Sequence, residues 1–333
     1  MILVLVETAP DGVALLSQEA LTFARGIATA GGGNGDVQAL VVGPHPPVTL
    51  EGLAAQGVSA VHHADDERLA AYSAAAWAAA CVDAVASTMA MTLLAAASPR
   101  GNEVLAHVAA RLDTAMAANV VTAEPAGDVL AVRRQVMGGA ALEEVHLGRT
   151  DGSGGAAPAL LTMAGHAVDP EPAAARTTPT VSAFTPTLTD ADLVARVVRS
   201  TPVENDSGAL TTSRVVVGAG RGVGGADQFG DLLDLTELLG GALGVSRVVT
   251  SLGWRPHHEQ VGQTGSRIAP DVYLACGISG AIQHWAGCST AKTIIAINTD
   301  AEAPMVTKAH YAVIGDLHEI VPAVNAEIRK RQG

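Results

Sequence analysis

Gln260-Val261-Gly262-Gln263-Thr264-Gly265 is followed, after a short connection, by Asp271-Val272-Tyr273-Leu274-Ala275-Cys276 and then by Gly277-Ile278-Ser279-Gly280-Ala281-Ile282-Gln283-His284. The middle stretch is a short apolar run bounded by small residues, which reads as a buried parallel strand. The flanking turns carry Gln, Thr, Ser and His side chains that can hydrogen-bond a polar ring. Open α/β sheets bind ligands at the carboxyl ends of their parallel strands. The reading therefore predicts an α/β fold with a ligand site in this region.

Outward from this stretch the pattern repeats. Arg214-Val215-Val216-Val217 reads as a strand leading into Gly218-Ala219-Gly220-Arg221-Gly222-Val223-Gly224-Gly225. A helix is expected from Ala226 to about Gly241, and strands over Val245–Thr250, Thr293–Ile297 and Ala312–Ile314. A last helix is expected from about Leu317 to Lys330. The N-terminal half alternates in the same way. Strands are expected at Met1–Val6, Val37–Val42, Ser59–His62 and Met91–Ala96. Helices are expected from Ser17 to the Gly31–Gly33 run, over Val48–Gln56, over about 67–86 and over Asn102–Leu112. Beyond Val120, the stretches Val129–Val136, Leu142–Leu147 and Ala159–Met163, separated by turns at Gly138-Gly139 and at Asp151–Gly155, read as antiparallel strands extending the first sheet.

Pro170, Pro172, Pro179, Pro186 and Pro202 punctuate an Ala- and Thr-rich stretch over 165–210, which reads as a linker. The expectation is two domains, residues 1–204 and 205–333, each built on a mainly parallel doubly wound sheet.

At 333 residues, 48% of them hydrophobic, the chain can bury a large core, but aromatics are only 3%, so Ala, Val, Leu and Ile must build it. A net charge of -13 argues against nucleic acid as a partner. Cys81, Cys276 and Cys288 are odd in number and widely spaced, which supports neither a disulfide framework nor a zinc ribbon. With no basic leader-like stretch at its start, the chain is expected to be cytoplasmic. The Ala-rich segment from Ala70 is interrupted by Asp83 and reads as a helix and a strand, so membrane insertion is not expected.

The chemistry gathers in the C-terminal half. Gly220–Gly225 satisfies G-x-G-x-x-G between an expected strand and an expected helix, a context that suits a pyrophosphate. Arg221 within it suits a phosphate. The acidic residue that nicotinamide ribose binding calls for about 20 residues later is missing, since the next strand ends Val248-Val249-Thr250-Ser251. A flavin ring needs a partner at N5 and donors along its N1–C2=O edge. Thr264 suits the first, and His284, as a cationic or a donor imidazole, suits the second. Arg247, beside Ser246, adds positive charge near the ring. Ser279-Gly280-Ala281-Ile282 lets backbone amides approach phosphate. Asn298, at the end of a buried strand, and Asp316, before the last helix, suit an adenosine ribose or base, although Asp316 equally suits a plain N-cap. His257-His258-Glu259 lacks a third spaced ligand, so no metal site is expected.

These residues resemble the electron transfer flavoprotein α-subunit family. Its C-terminal signature runs GGRG, Ser-Arg, QVGQTG, GISGAIQH, AIN and Asp-Leu. Here these stand as Gly218–Gly222 (GAGRG), Ser246-Arg247, Gln260–Gly265, Gly277–His284, Ala296–Asn298 and Asp316-Leu317, in the same order. The resemblance implies an FAD-binding subunit that pairs with a β subunit carrying AMP. It implies electrons accepted from dehydrogenases such as acyl-CoA dehydrogenases and passed to a membrane quinone reductase. It carries binding roles to Arg221, Ser246, Arg247, Gln260, Val261, Gly262, Gln263, Thr264, Ser279, Gly280, Ala281, Ile282, Gln283, His284, Asn298, Asp316 and Leu317, with His284, Arg247 and Thr264 tuning the flavin. Ser251–Glu259 departs from the family's usual stretch, and Ser266 stands where lysine is common. The rival expectations are an NAD-dependent oxidoreductase and a flavin-free interaction subunit.

Overall fold

A computed structural model describes residues 1–30, 36–136, 141–148, 154–155, 157–199 and 207–332. The chain divides into two compact units, residues 1–135 with 142–201, and residues 202–333 with 136–141. The expected 204/205 boundary, the Gly31–Gly33 and Gly138-Gly139 turns and the Asp151–Ser153 part of the next turn lie outside the described residues.

The first unit is built on β1 (Ile2–Val6), a small hairpin of β2 (Thr8–Ala9) and β3 (Gly12–Val13), α1 (Leu15–Ala30), β4 (Val37–Val42), α2 (Val48–Ala55), β5 (Ala60–Ala64), α3 (Ala74–Thr88), β6 (Thr92–Ala96) and α4 (Pro99–Arg111). It continues with β7 (Met116–Ala126), β8 (Val129–Val136), β9 (Ala141–Gly148), β10 (Ala159–Met163) and β11 (Thr180–Phe184). Among the described residues these form a nine-stranded sheet in the order β11-β5-β4-β1-β6-β10-β7-β8-β9. Pairing is parallel from β11 through to β7 and antiparallel at β7–β8.

Alternate strand residues supply the two faces. Val4, Val6, Val41 and Leu94 pack against Leu21 and Ala24 of α1. Leu3, Leu5, Leu40 and Leu93 pack against Ala76, Ala80 and Cys81 of α3 and Leu105 and Val108 of α4. Each such fully buried Leu or Val contributes roughly 1.5–3 kcal/mol, and the alanines of α3 let the helix lie close to the sheet. α4 begins at Pro99 because the Ser98 hydroxyl accepts from Gly101 N at 2.8 Å and proline suits the first helical turn.

Four expectations for this unit are corrected. Ala159–Met163 is not an antiparallel extension: β10 lies parallel between β6 and β7, and its five residues are all buried, the mark of a central parallel strand. β7, eleven residues long, starts where the reading saw only a change of pattern. Thr180–Phe184, inside the stretch expected to be linker, pairs with β5 as an exposed edge strand, where flanking prolines are tolerated. The helix expected over 67–86 is a short 3-10 turn at Glu67–Leu69 followed by α3.

The second unit runs α5 (Ser207–Thr212), β12 (Val215–Ala219), α6 (Gly230–Leu238), β13 (Ala242–Val245), α7 (Arg247–Ser251), β14 (Val272–Cys276), α8 (Ile282–Cys288), β15 (Thr293–Asn298), α9 (Pro304–Lys308), β16 (Tyr311–Ile314) and α10 (Leu317–Gln332). Its five-stranded sheet, β13-β12-β14-β15-β16, is parallel throughout. Val216, Tyr273, Ile294 and Ala296 face Cys288 and Met305. Val217, Ala219, Cys276 and Ile297 face Leu232, Leu235 and Val321. The chain moves one way from β12 to β13 and the other way to β14, so the strand order reverses between β12 and β14.

Two boundaries shift here. The strand expected over Val245–Thr250 ends at Val245, and Arg247–Ser251 is helical with Ser246 at its N-cap position. The β-branched run Val248-Val249-Thr250 carried a strand propensity that tertiary packing overrides. The helix expected at Ala226 begins at Gly230. Among the described residues no helix is long and apolar enough to cross a membrane.

Candidate functional site

The ends of β12 and β14 touch. Gly220 N donates to the Cys276 carbonyl at 2.9 Å and Gly222 N to the Gly277 carbonyl at 3.1 Å. A Cβ at Gly220 would come within 2.1 Å of the Gly277 oxygen, and Gly277 itself has φ +62°. These glycines let two turns meet at the point where the strand order reverses. The amides of Gly220 and Gly222 are spent on the end of β14, that of Gly277 donates to the Ile297 carbonyl at 2.8 Å, and the helix that should follow Gly225 starts several residues later. The pyrophosphate cradle expected on Gly220–Gly225 is therefore not formed by the Gly220 and Gly222 amides.

The second turn is different. No described protein group accepts from the backbone amides of Ser279, Gly280 or Ala281. They line a cleft of about 670 Å³ that also exposes Arg221, Ser246, Arg247, Gln283, His284 and Asn298. That volume lies in the range of small-molecule sites. Neither Arg221 nor Arg247 forms an ion pair among the described residues, so the cleft carries two guanidinium groups without a salt-bridge partner. Two buried polar atoms beside it, Ser246 Oγ and His284 Nδ1, make no hydrogen bond. Buried polar groups left unpaired cost about 1–3 kcal/mol each. An elongated anionic ligand with ring acceptors would satisfy this set, and FAD has that chemistry.

Other residues singled out in the sequence act around the cleft. Gln260 is buried and strung between hydroxyls: Thr250 Oγ1 donates to its Oε1 at 2.7 Å, and its Nε2 donates to Thr264 Oγ1 at 3.0 Å. It holds Thr264, which with Gln263 is exposed. Val261 is a core residue whose amide donates to the Val245 carbonyl at 2.8 Å. Gly262 packs on the backbone of Gln283 and His284, and Gln263 N donates to the Gln283 carbonyl at 2.8 Å. Ile282 is exposed at the start of α8. Asp316 accepts from His318 N at 2.9 Å, as an N-cap does, and Leu317 packs against Gly277. None of these eight lines the cleft directly.

Asn298 lines the cleft and also pins it: its Nδ2 donates to the Ile278 carbonyl at 3.0 Å, and its Oδ1 accepts from Asp300 N at 3.1 Å. Asp300, together with Val248 and Ser251 of α7, is a lining residue that the reading missed. Asp300 had a signal, a carboxylate just past the end of a buried strand. Val248 and Ser251 had none once that segment was read as a strand.

His284 is 6% exposed and sits 2.8 Å by Nε2 from the Tyr273 hydroxyl. Burial pushes its pKa down to about 4, opposed in part by the nearby Val261 carbonyl, which lies short of hydrogen-bond geometry. The imidazole is therefore neutral near pH 7. Of the two forms expected for it, burial favours the neutral one.

Residues 2–189 match the family model described as electron transfer flavoprotein domain, and residues 209–289 match the electron transfer flavoprotein FAD-binding domain. Electron transfer flavoprotein subunit alpha of Mycobacterium tuberculosis is 35% identical over 334 aligned positions, spanning 100% of this chain and 99% of that protein. The subunit of the same name from Mycobacterium leprae is 33% identical over 99% of each chain. That of Bacillus subtilis is 30% identical, over 90% of this chain and 89% of its own.

Proposed function

The chain belongs to the electron transfer flavoprotein α-subunit family, and we propose that its cleft at the β12–β14 switch point holds FAD for a two-subunit electron carrier. What supports this most is the set of donors that the protein leaves unspent around that cleft: the Ser279–Ala281 amides, Arg221, Arg247, Ser246 Oγ and His284 Nδ1. Bound FAD would supply reversible electron exchange.

Each residue then has a task. Arg221 and the Ser279–Ala281 amides receive the pyrophosphate. Asn298 and Asp316 serve the adenosine end. Thr264, held by Gln260, faces N5, and Arg247 and His284 face the N1–C2=O edge. The backbone contacts of Val261 with β13 and of Gly262 and Gln263 with α8 keep the QVGQTG turn against the ring, Ile282 and Gln283 border it, and Leu317 supports Gly277 from beneath. The partner is a β subunit carrying AMP. The donors are dehydrogenases such as those acting on acyl-CoA, and the acceptor is a membrane quinone reductase. A cytoplasmic setting fits this role. An NAD-dependent oxidoreductase is the poorer reading, because the amides of the glycine turn it would need are engaged at Gly220 and Gly222.

The test is co-expression with a β-type partner, followed by the visible spectrum and the FAD released on denaturation. Flavin bands and about one FAD per complex are expected. A folded complex with no bound flavin would overturn the assignment and leave a flavin-free interaction subunit.

A further inference from the structure

The buried pair Tyr273–His284 carries an inference of its own. Tyr273 lies in the middle of β14 and is 0% exposed. Its hydroxyl has one hydrogen-bond partner among the described residues, His284 Nε2 at 2.8 Å. Burial holds the phenol's pKa well above its usual value, so the oxygen keeps its proton. A buried O–H hands that proton to an acceptor, and Nε2 is the acceptor available. An imidazole that accepts through Nε2 and carries a single proton must carry it on Nδ1.

Space has been cleared for this contact. Gly218 of β12 lies across from the ring, and a Cβ there would sit 2.3 Å from the Tyr273 oxygen. Any other residue at 218 would push the phenol away from His284. Nδ1, in turn, is buried with no partner at hydrogen-bond geometry, the Val261 carbonyl lying nearby, on a residue that lines the cleft.

We infer that Tyr273 is a positioning residue: its hydroxyl fixes His284 as the neutral tautomer with the proton on Nδ1, so that the imidazole beside the cleft keeps one N–H of fixed direction and no net charge. This rests on the FAD reading for the acceptor of that N–H, but not for the tautomer. Tyr273 touches no reacting atom in this scheme. It acts through the imidazole, by removing the alternative in which the proton sits on Nε2.

The experiment uses the αβ complex with 15N-labelled histidine. Long-range proton–nitrogen correlation spectra report which ring nitrogen carries the proton, and His284→Gln identifies the signal. The wild type should show the Nδ1–H neutral form unchanged between about pH 6 and pH 8. Tyr273→Phe should show a mixture of tautomers, a changed flavin potential, and FAD binding weakened by about fivefold, the worth of one hydrogen bond. A wild-type signal that is cationic or Nε2-protonated overturns the inference. So does a Tyr273→Phe complex with the wild-type tautomer and potential. Should that variant fail to fold, the wild-type spectrum alone decides. A complex without flavin would sink the FAD reading, while the tautomer would still be read from the spectrum.

Discussion

The parallel strands of this chain's two large sheets end in opposite ways. In each, the strand order reverses beside the first strand, between β1 and β6 in the first and between β12 and β14 in the second, and that is where such sheets take ligands. The first closes its end with its own side chains. Glu7, just past β1, accepts from the Ser98 hydroxyl past β6, its amide donates to Ser17 Oγ at 2.9 Å, Tyr72 donates to Glu103 at 2.9 Å, and Arg100 lies over the Tyr72 ring at 4.8 Å. The hollow that remains there is about 380 Å³, and the Trp77 indole N–H is an unpaired group beside it. The second end has Gly220 where the first has Glu7 and Ile278 where the first has Ser98, and leaves amides, guanidinium groups and an imidazole N–H unspent. One architecture thus gives a packed end or a receptive one, and the residues just past the strands decide which.

The strongest way to break this contrast is to fill the second end. Gly220→Val places a branched side chain where a single Cβ already meets the Gly277 oxygen at 2.1 Å. Overpacking of this kind costs roughly 1–3 kcal/mol, and more where backbone must move. The complex should lose FAD and the denaturant midpoint of the second unit should fall. Retention of full FAD content would mean that the close approach of the two turns does not shape the cleft.

Acid should separate the two ends next. His284 has a folded pKa near 4 against an ordinary 6.5. Above pH 6.5 the imidazole is neutral in both folded and unfolded chains and contributes no pH dependence. As the pH falls from 6.5 toward 4, the unfolded chain takes up a proton that the folded one refuses, so stability is lost across that window. The loss amounts to about 3 kcal/mol once the pH is below 4. Urea titrations of the complex at pH 7 and pH 4.5 should show it, and His284→Gln should remove that part. An equal slope in both proteins would assign the loss elsewhere.

How much of this contrast could be read beforehand depended on what each stretch packs against. The apolar runs Val272–Cys276 and Val37–Val42 declared themselves because burial on both faces leaves no room for another composition. Of the two turns that stood out by their small residues and hydrogen-bonding side chains, GISGAIQH lines the cleft and QVGQTG packs beside it. Gly220–Gly225 was ambiguous, since glycine serves a phosphate and a backbone crossing equally well: the Gly220 and Gly222 amides make the crossing, while Arg221 and Gly222 line the cleft. Gln260 and Tyr273 were illegible as supports, because their roles are defined by Thr250 and His284, residues that only the fold brings to them.

Removing charge from the receptive end is a milder intervention than filling it. Arg221→Ala should weaken FAD binding by roughly 10- to 100-fold, as expected for one charge-assisted hydrogen bond to phosphate of about 1.5–3 kcal/mol. The effect should shrink as salt rises. Apparent Kd measured by flavin fluorescence at two ionic strengths checks both statements. No change in either would place the pyrophosphate away from Arg221.

The smallest effect belongs to the closed end and is the sharpest test of why it is closed. Burial raises the Glu7 pKa above 4.5, against the pull of the Ser98 hydroxyl and of Arg100. A carboxyl whose folded pKa is raised costs stability above that pKa, where the unfolded chain ionises freely and the folded one does so at a penalty; below 4.5 the cost vanishes. Glu7→Gln keeps an oxygen to accept from Ser98 and removes the ionisation. If Glu7 only fills the end of the sheet, the variant should melt slightly higher at pH 7 and level with wild type at pH 4, with FAD content untouched. A drop at pH 7 would mean that the Glu7 charge, paired with Arg100, is what holds the first switch point shut. The two ends would then differ by electrostatics as well as by the size of the residues that border them.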